Sequence, residues 1–320
     1  MSGFYQVDIR PEDREKTAFA TWNGHLYQYC RAPMGIQSCP IGFQKVVDQL
    51  KRELLVRMWA YLDDVVIASQ DEEEHLRDIE AFLKVVSKYG MTLKIEKCHF
   101  GKSHIKYLGY LISKDGIALD PSVIEKVQKC EVPKTVKQLQ GFLGLCTVYR
   151  RHIEKHADIA APLYDLTKKD DIDPKATIKD KWTQDHQEAF EDLKRRLTTA
   201  PVLAAPKFDR EFIIDTDASS RGISAILVQK DDQGCEHPVA YASRSLSKAE
   251  AKYPSVESEA LAIVFGTQHF RPYIEGHLTT TVRTDNSALT TLFRRKDLTG
   301  RLAKYQMALM AFNLNIVPSD

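Results

Sequence analysis

A chain of 320 residues is longer than a single hydrophobic core usually serves, so two or three domains are expected. With 43% hydrophobic and 28% charged residues the composition excludes a disordered chain. Forty-five Lys and Arg against 44 Asp and Glu leave a net charge of +1, which excludes a strongly basic protein.

A nucleic-acid surface would therefore be a local stripe, such as Lys45, Lys51, Arg52 and Arg57, or Arg294, Arg295, Lys296, Arg301 and Lys304. A solvated helix face explains either run equally well. The start carries no basic, apolar leader, and no run of about eighteen apolar residues occurs, so cytosol or nucleus is expected by default, with no membrane partner. The six cysteines form no CxxC pair and read as reduced thiols. Cys98, His99 and His104 lack a fourth ligand at a familiar zinc spacing.

In chain order, FYQVDI and TAFATW are predicted as short strands joined by the charged RPEDREK turn, and Trp22-Asn23-Gly24-His25 carries a hairpin signal. Phe43, Val46, Val47, Leu50 and Leu54 recur at helical spacing, predicting a helix over 40–54. The apolar run 58–69 is broken only by Asp63 and Asp64, and a second helix is predicted over 73–89, ending at Gly90. After the YLGYLIS strand, residues 121–166 read as helical, with Leu139, Phe142, Leu143, Cys146 and Tyr149 on one side. KKDDIDPKATIKD is the best linker candidate. A helix over 187–197 then precedes a β-meander of FIIDTD, GISAILVQ and HPVAYASRSL. A helix from about Ser255, a strand over 278–284, a basic helical region and a strand over 313–317 complete the pattern.

Asp63 and Asp64, set between apolar strands, are expected to suffer desolvation and mutual repulsion that a divalent cation would offset. The alternative is a simple exposed hairpin turn. YLDDVVIAS resembles the metal-binding hairpin of reverse transcriptases. The blocks SGFYQVDI, KTAFAT, APMGIQSCPIGFQ, HLRDIEAFLKVVSKYGMTLKIEKCHF, YLGYLIS, GFLGLCTVYRRHI, LTTAPVLAAPKFD and FIIDTDASSRGISAIL follow in the order of the same family. Over essentially its whole length the sequence is similar to the reverse transcriptase/RNase H region of Gypsy-type long-terminal-repeat retrotransposon polyproteins.

That resemblance implies a multidomain α+β and α/β fold: a polymerase palm over 1–113, a helical thumb or connection with linker over 114–178, and an RNase H-like mixed sheet with helices over 179–320. It also implies roles. Asp63 and Asp64 would be catalytic metal ligands of the palm, with Phe4 under the incoming sugar, Met34, Gly35 and Gln44 beside nucleotide and template, and Lys97 near the triphosphate. Met34 departs from the family's usual phenylalanine. Asp217, Glu259 and Asp285 would be the catalytic metal ligands of the RNase H-like region. Asp215 shares the strand face of Asp217 and competes with it. Glu257 lies two residues from Glu259 and points elsewhere. Asn286 stands where relatives often carry histidine.

The implied cofactor is Mg²⁺, two ions per complete site, with Mn²⁺ as a substitute. The implied partners are an RNA template, a DNA primer, RNA–DNA hybrid and deoxynucleoside triphosphates. By the family pattern a first palm aspartate would lie before Met1 and a last RNase H aspartate beyond the end, Asp320 not occupying that position, so impaired catalysis is expected. Two further readings stand beside the enzyme: an inert or co-opted retroelement remnant that binds nucleic acid or another protein, and a general metal-dependent nuclease, which leaves YLDD unexplained.

Overall fold

The computed structural model describes residues 3–167, 176–276, 279–293, 295 and 297–319. Arg294, Lys296, Leu278, Asp320 and residues 168–175 of the expected linker lie outside them. The chain forms two compact units, Met1–Tyr107 and Leu108–Asp320.

The first unit opens with a 3₁₀ turn at Gly3–Gln6 and the helical turn α1 (Pro11–Arg14), not with the strand expected at FYQVDI. The main chain there finds only an isolated bridge between Asp8 and Arg31, too little pairing to hold a strand. Pro11, with its φ preset for a helix, makes the RPEDREK segment helical. A two-stranded hairpin follows, β1 (Phe19–Ala20) with β2 (Leu26–Tyr27), its turn containing Gly24 at φ +83°.

Helix α2 (Cys39–Glu53) precedes the antiparallel hairpin of β3 (Met58–Tyr61) and β4 (Asp64–Ile67). Helix α3 (Glu72–Lys88) starts where the Asp71 carboxylate accepts the Glu74 N–H at 2.8 Å, and its chain reverses at Gly90, φ +65°. Leu54, Met58, Phe82 and Val86 form the small core between these helices and the hairpin. Strand β5 (His104–Tyr107) closes the unit.

The second unit begins with a left-handed turn at Leu108 and Gly109, which interrupts the strand expected over YLGYLIS. Its intact part is β6 (Tyr110–Ser113), paired antiparallel with β7 (Gly116–Leu119). Helices α4 (Pro121–Gln128), α5 (Val136–Val148), α6 (His156–Asp165) and α7 (Gln184–Thr198) gather around Leu139, Leu143, Cys146, Leu163, Phe190 and Leu193, all of them buried. The downstream part of the expected linker is anchored: Thr177 bridges to Thr135, and Ile178 is only 2% exposed.

A five-stranded sheet follows, in the order β10-β9-β8-β11-β12. The meander of β8 (Ile213–Ala218), β9 (Gly222–Lys230) and β10 (Glu236–Ser245) is antiparallel, while β11 (Thr280–Thr284) and β12 (Leu314–Pro318) extend the other side in parallel. Between β10 and β11 runs helix α8 (Ser255–His269), followed by α9 (Arg271–Ile274). Between β11 and β12 lie α10 (Ser287–Leu292) and α11 (Gly300–Leu309).

Helix α8 packs on β8 and β9 and is covered by α11. It is therefore apolar nearly all round, with Ala260, Ala262 and Ile263 fully buried. Among the described residues no helix is long and apolar enough to cross a membrane.

Close approach of α8 to the sheet depends on Gly266. A Cβ there would lie 2.8 Å from the Ala225 Cβ and 3.3 Å from Ile214 Cγ2. Gly266→Ala should therefore destabilise the protein by about 1–3 kcal/mol despite alanine's better helix propensity. Urea unfolding midpoints of the two proteins check this, and an unchanged or raised midpoint would contradict the packing described.

Candidate carboxylate sites

The Asp63-Asp64 pair sits at the turn of the β3–β4 hairpin, where Leu62 takes a left-handed φ of +52° and Tyr61 pairs with Asp64. The turn is braced from α2: the Gln44 side-chain oxygen accepts the Leu62 N–H at 2.8 Å, and its amide nitrogen donates to Asp48 at 2.9 Å. Both aspartates are exposed, so the desolvation expected from their apolar neighbours does not arise. The strands on either side present Trp59, Tyr61 and Val65 to solvent as well.

Asp63 and Asp64 line one groove of about 560 Å³ together with Gly3, Phe43, Lys94, Lys97 and Tyr107. A Cβ on Gly3 would lie 3.4 Å from the Asp63 Cβ, so the 3₁₀ turn runs close beside the acids. Partial burial, and then the Asp64 charge, push the Tyr107 hydroxyl up from its ordinary pKa. Phe4 packs edge-on against Phe43, ring centroids 5.6 Å apart. Lys97 is exposed at the groove. Met34 lines a different hollow, beside Phe19 and Tyr29, and Gly35 holds φ +95° with open space where a side chain would go. Of the residues expected near a nucleotide, Lys97 thus shares the aspartates' groove, Phe4 touches its wall, Gln44 serves the hairpin itself, and Met34 faces elsewhere.

The second cluster lies in the other unit, where elements far apart in sequence converge. Asp217 is on β8, Asp285 follows the last residue of β11, and Glu259 projects from the buried helix α8. Glu259 is only 8% exposed, and its Oε2 has no hydrogen-bond partner among the described residues. Burial first, then the charges of Asp217 and Asp285, raise its pKa to about 7, against a partial offset from the Ala218 N–H. Glu259 thus lies within reach of both aspartate charges. No three His, Cys, Asp or Glu side chains among the described residues are gathered tightly enough to hold a metal ion as they stand.

The neighbouring acids have other partners. Asp215 is gripped by Arg283, whose Nη2 lies 2.7 Å from its Oδ2 and 2.8 Å from Glu236 Oε2. Glu257 turns to Arg301 at 2.5 Å, and that guanidinium also covers the Tyr253 ring at 4.0 Å. The Asn286 side chain accepts the Ala288 N–H at 3.1 Å and caps α10. Asp217 itself meets Lys155 Nζ at 2.7 Å. Nothing in the sequence marks Lys155: it is one lysine in a basic stretch, brought to Asp217 only by the fold.

The donor set suits a hard divalent cation, since it offers carboxylate oxygens alone, one of them buried and unpartnered. Residues 1–112 match the reverse transcriptase (RNA-dependent DNA polymerase) family, and residues 182–282 match the RNase H-like domain found in reverse transcriptase. Across 99% of its length the chain is 35% identical to the retrovirus-related Pol polyprotein from transposon opus of Drosophila melanogaster. The chain carries a reverse transcriptase region and an RNase H-like region similar to those of retrotransposon Pol polyproteins.

The Pol polyprotein from transposon gypsy of the same fly is 31% identical over 98% of the chain. The chain spans about a third of these relatives, 32% of the first and 30% of the second. Its fold matches that of the foamy viral protease-reverse transcriptase solved in complex with dsDNA, with TM-score 0.83 and 23% identity, covering 100% of this chain and 66% of that one. A second foamy viral protease-reverse transcriptase structure, in complex with RNA/DNA hybrid, gives TM-score 0.79 at 23% identity and covers 43% of that chain. The reverse transcriptase match contains Asp63 and Asp64, and the RNase H-like match contains Asp217 and Glu259, with Asp285 three residues beyond it.

The raised pKa of Glu259 fixes a sign for its pH dependence. Folded Glu259 holds its proton to about pH 7, against an ordinary value of 4.5, so its contribution to stability is complete below pH 4.5 and is lost as pH rises through 7. With divalent ions removed by chelator, Glu259→Gln should be more stable than the parent at pH 8, by about 1–3 kcal/mol, and the difference should shrink toward pH 5. Urea denaturation at both pH values measures it; a gap that does not change with pH would contradict the buried, charge-crowded carboxyl.

Proposed function

We propose that the chain contributes the palm, over 1–113, the helical connection, over 114–178, and the RNase H-like region, over 179–320, of an RNA-directed DNA polymerase that also hydrolyses RNA in RNA–DNA hybrids. The observation that carries this reading is Glu259, a buried carboxyl with one unpartnered oxygen placed where the charges of Asp217 and Asp285 also act. Burying a carboxyl oxygen without a partner is costly, which favours a functional role for it.

In the RNase H-like region Asp217, Glu259 and Asp285 would hold the cofactor, Mg²⁺ or Mn²⁺. There a water oxygen bonds to phosphorus as the bond to the RNA 3′-oxygen breaks. In the palm Asp63 and Asp64 present their carboxylates to the groove, where the primer 3′-hydroxyl oxygen bonds to the α-phosphorus of a deoxynucleoside triphosphate and pyrophosphate departs. Lys97, on the same groove, offers positive charge to the departing phosphates. Phe4 and Phe43 form an apolar wall suited to the sugar. A pair of divalent ions supplies the Lewis acidity and charge neutralisation at each site.

The nucleic-acid partners follow from the family and from the foamy viral relatives, which were solved with dsDNA and with RNA/DNA hybrid. A second reading, nucleic-acid binding without chemistry, is favoured by the Lys155 contact on Asp217 and by the lack of a pre-gathered metal cluster among the described residues.

Two assays on the full chain with Mg²⁺ decide between them: primer extension on an RNA template, and cleavage of the RNA strand of a hybrid. On the enzymatic reading Glu259→Gln and Asp285→Asn each lower hybrid cleavage by about 10²–10³-fold and leave primer extension intact, while Asp64→Asn does the reverse. Either activity in the folded, metal-loaded chain discards the second reading; hybrid binding with neither activity, even once the two aspartates that the family pattern places outside residues 1–320 are supplied, discards the first.

A further inference from the structure

The segment 154–158 is fastened to the end of β8, to β10 and to helix α7. The Asp158 Oδ1 accepts the Ser219 hydroxyl at 2.8 Å, and the Ala157 N–H donates to Ser243 Oγ at 2.9 Å. The Glu154 carbonyl accepts from Arg196 Nη1 at 3.3 Å. Gly222 admits this approach, for a Cβ there would lie 2.6 Å from Asp158 Oδ1. Within the strap Lys155 takes φ +52°, a left-handed conformation that a residue with a side chain adopts only at a cost. In that conformation Lys155 begins helix α6, its carbonyl accepting the Asp158 and Ile159 N–H at 3.1 and 3.2 Å, and its ammonium lies 2.7 Å from Asp217 Oδ2.

A cation is thus delivered by a strained backbone to one carboxylate of the acidic triad, while Asp215 and Glu257 are satisfied by arginines elsewhere. We propose that Lys155 is a tethered counter-ion of the triad: it neutralises Asp217 in the metal-free protein, and a divalent ion held by Asp217, Glu259 and Asp285 must displace it. The lysine then sets the metal concentration at which the site loads. This inference rests on reading the triad as a metal site. Both side chains are about two-fifths exposed, so the competition is modest: by the usual strength of such pairs, removing the ammonium tightens ion binding by about two- to fivefold.

The test is a Mn²⁺ titration of the full chain, followed by electron paramagnetic resonance of the free ion. Asp63→Asn and Asp64→Asn are present throughout so that only the second site is read. Lys155→Met removes the charge at similar length. Lys155→Gly removes it and relaxes the left-handed backbone, so at least one folded variant is available. Both should bind Mn²⁺ about two- to fivefold more tightly than the parent, and the gain should vanish when Asp217→Asn is added. Equal or weaker binding in the folded Lys155 variants overturns the counter-ion while leaving the metal site standing. Absence of Mn²⁺ binding in every variant, parent included, overturns the metal reading of the triad and the counter-ion with it.

Discussion

A carboxyl group carried into a buried position on helix α8 is the constraint around which the second unit is organised. Glu259 occupies a helix whose other faces are packed, so it cannot swing out to water without lifting α8 from the sheet. The close seat of that helix at Gly266, against Ala225 and Ile214, brings the carboxyl to the strands that bear Asp217 and precede Asp285. Charge in such a place has to be answered by a proton or by a cation, and both answers are visible: the raised pKa of Glu259 and the ammonium on Asp217.

The hairpin of the first unit presents its acids in the opposite manner. Asp63 and Asp64 stand in solvent on a turn whose left-handed residue is braced by Gln44, so their cost in the folded chain is small and their aim is set by the main chain. One site holds its carboxyl by packing, the other by turn geometry. Substitutions at the packed carboxyl therefore act on stability directly, whereas those at the exposed turn leave the core contacts in place.

Much of this was legible from residue order. Helices α2, α3, α5 and α8 and the meander strands stand close to where periodicity put them, because each carries a continuous apolar face or alternation and a clear stop such as Gly90. The FYQVDI strand failed because its pairing is confined to one bridge, Asp8 with Arg31, a property of the surroundings and not of its own residues. The exposure of Asp63 and Asp64 was misjudged for the same reason, since apolar neighbours in a sequence do not guarantee a covered strand. The family resemblance singled out Asp217, Glu259 and Asp285, but their partners were invisible: Lys155, Arg283 and Arg301 reach the acids only through tertiary folding.

Arg283 carries an implication for how this sheet can change over generations. Its guanidinium joins Asp215 on the adjoining strand and Glu236 at the start of β10, so one cation serves two anions on separate strands. Among the described residues, loss of the arginine alone leaves Asp215 without a cation and Glu236 with Lys230 only, 3.7 Å away, whereas loss of either acid leaves the other paired with the arginine. Replacing one acid therefore costs less than replacing the arginine, whose guanidinium ties the central strand β8 to the edge strand β10.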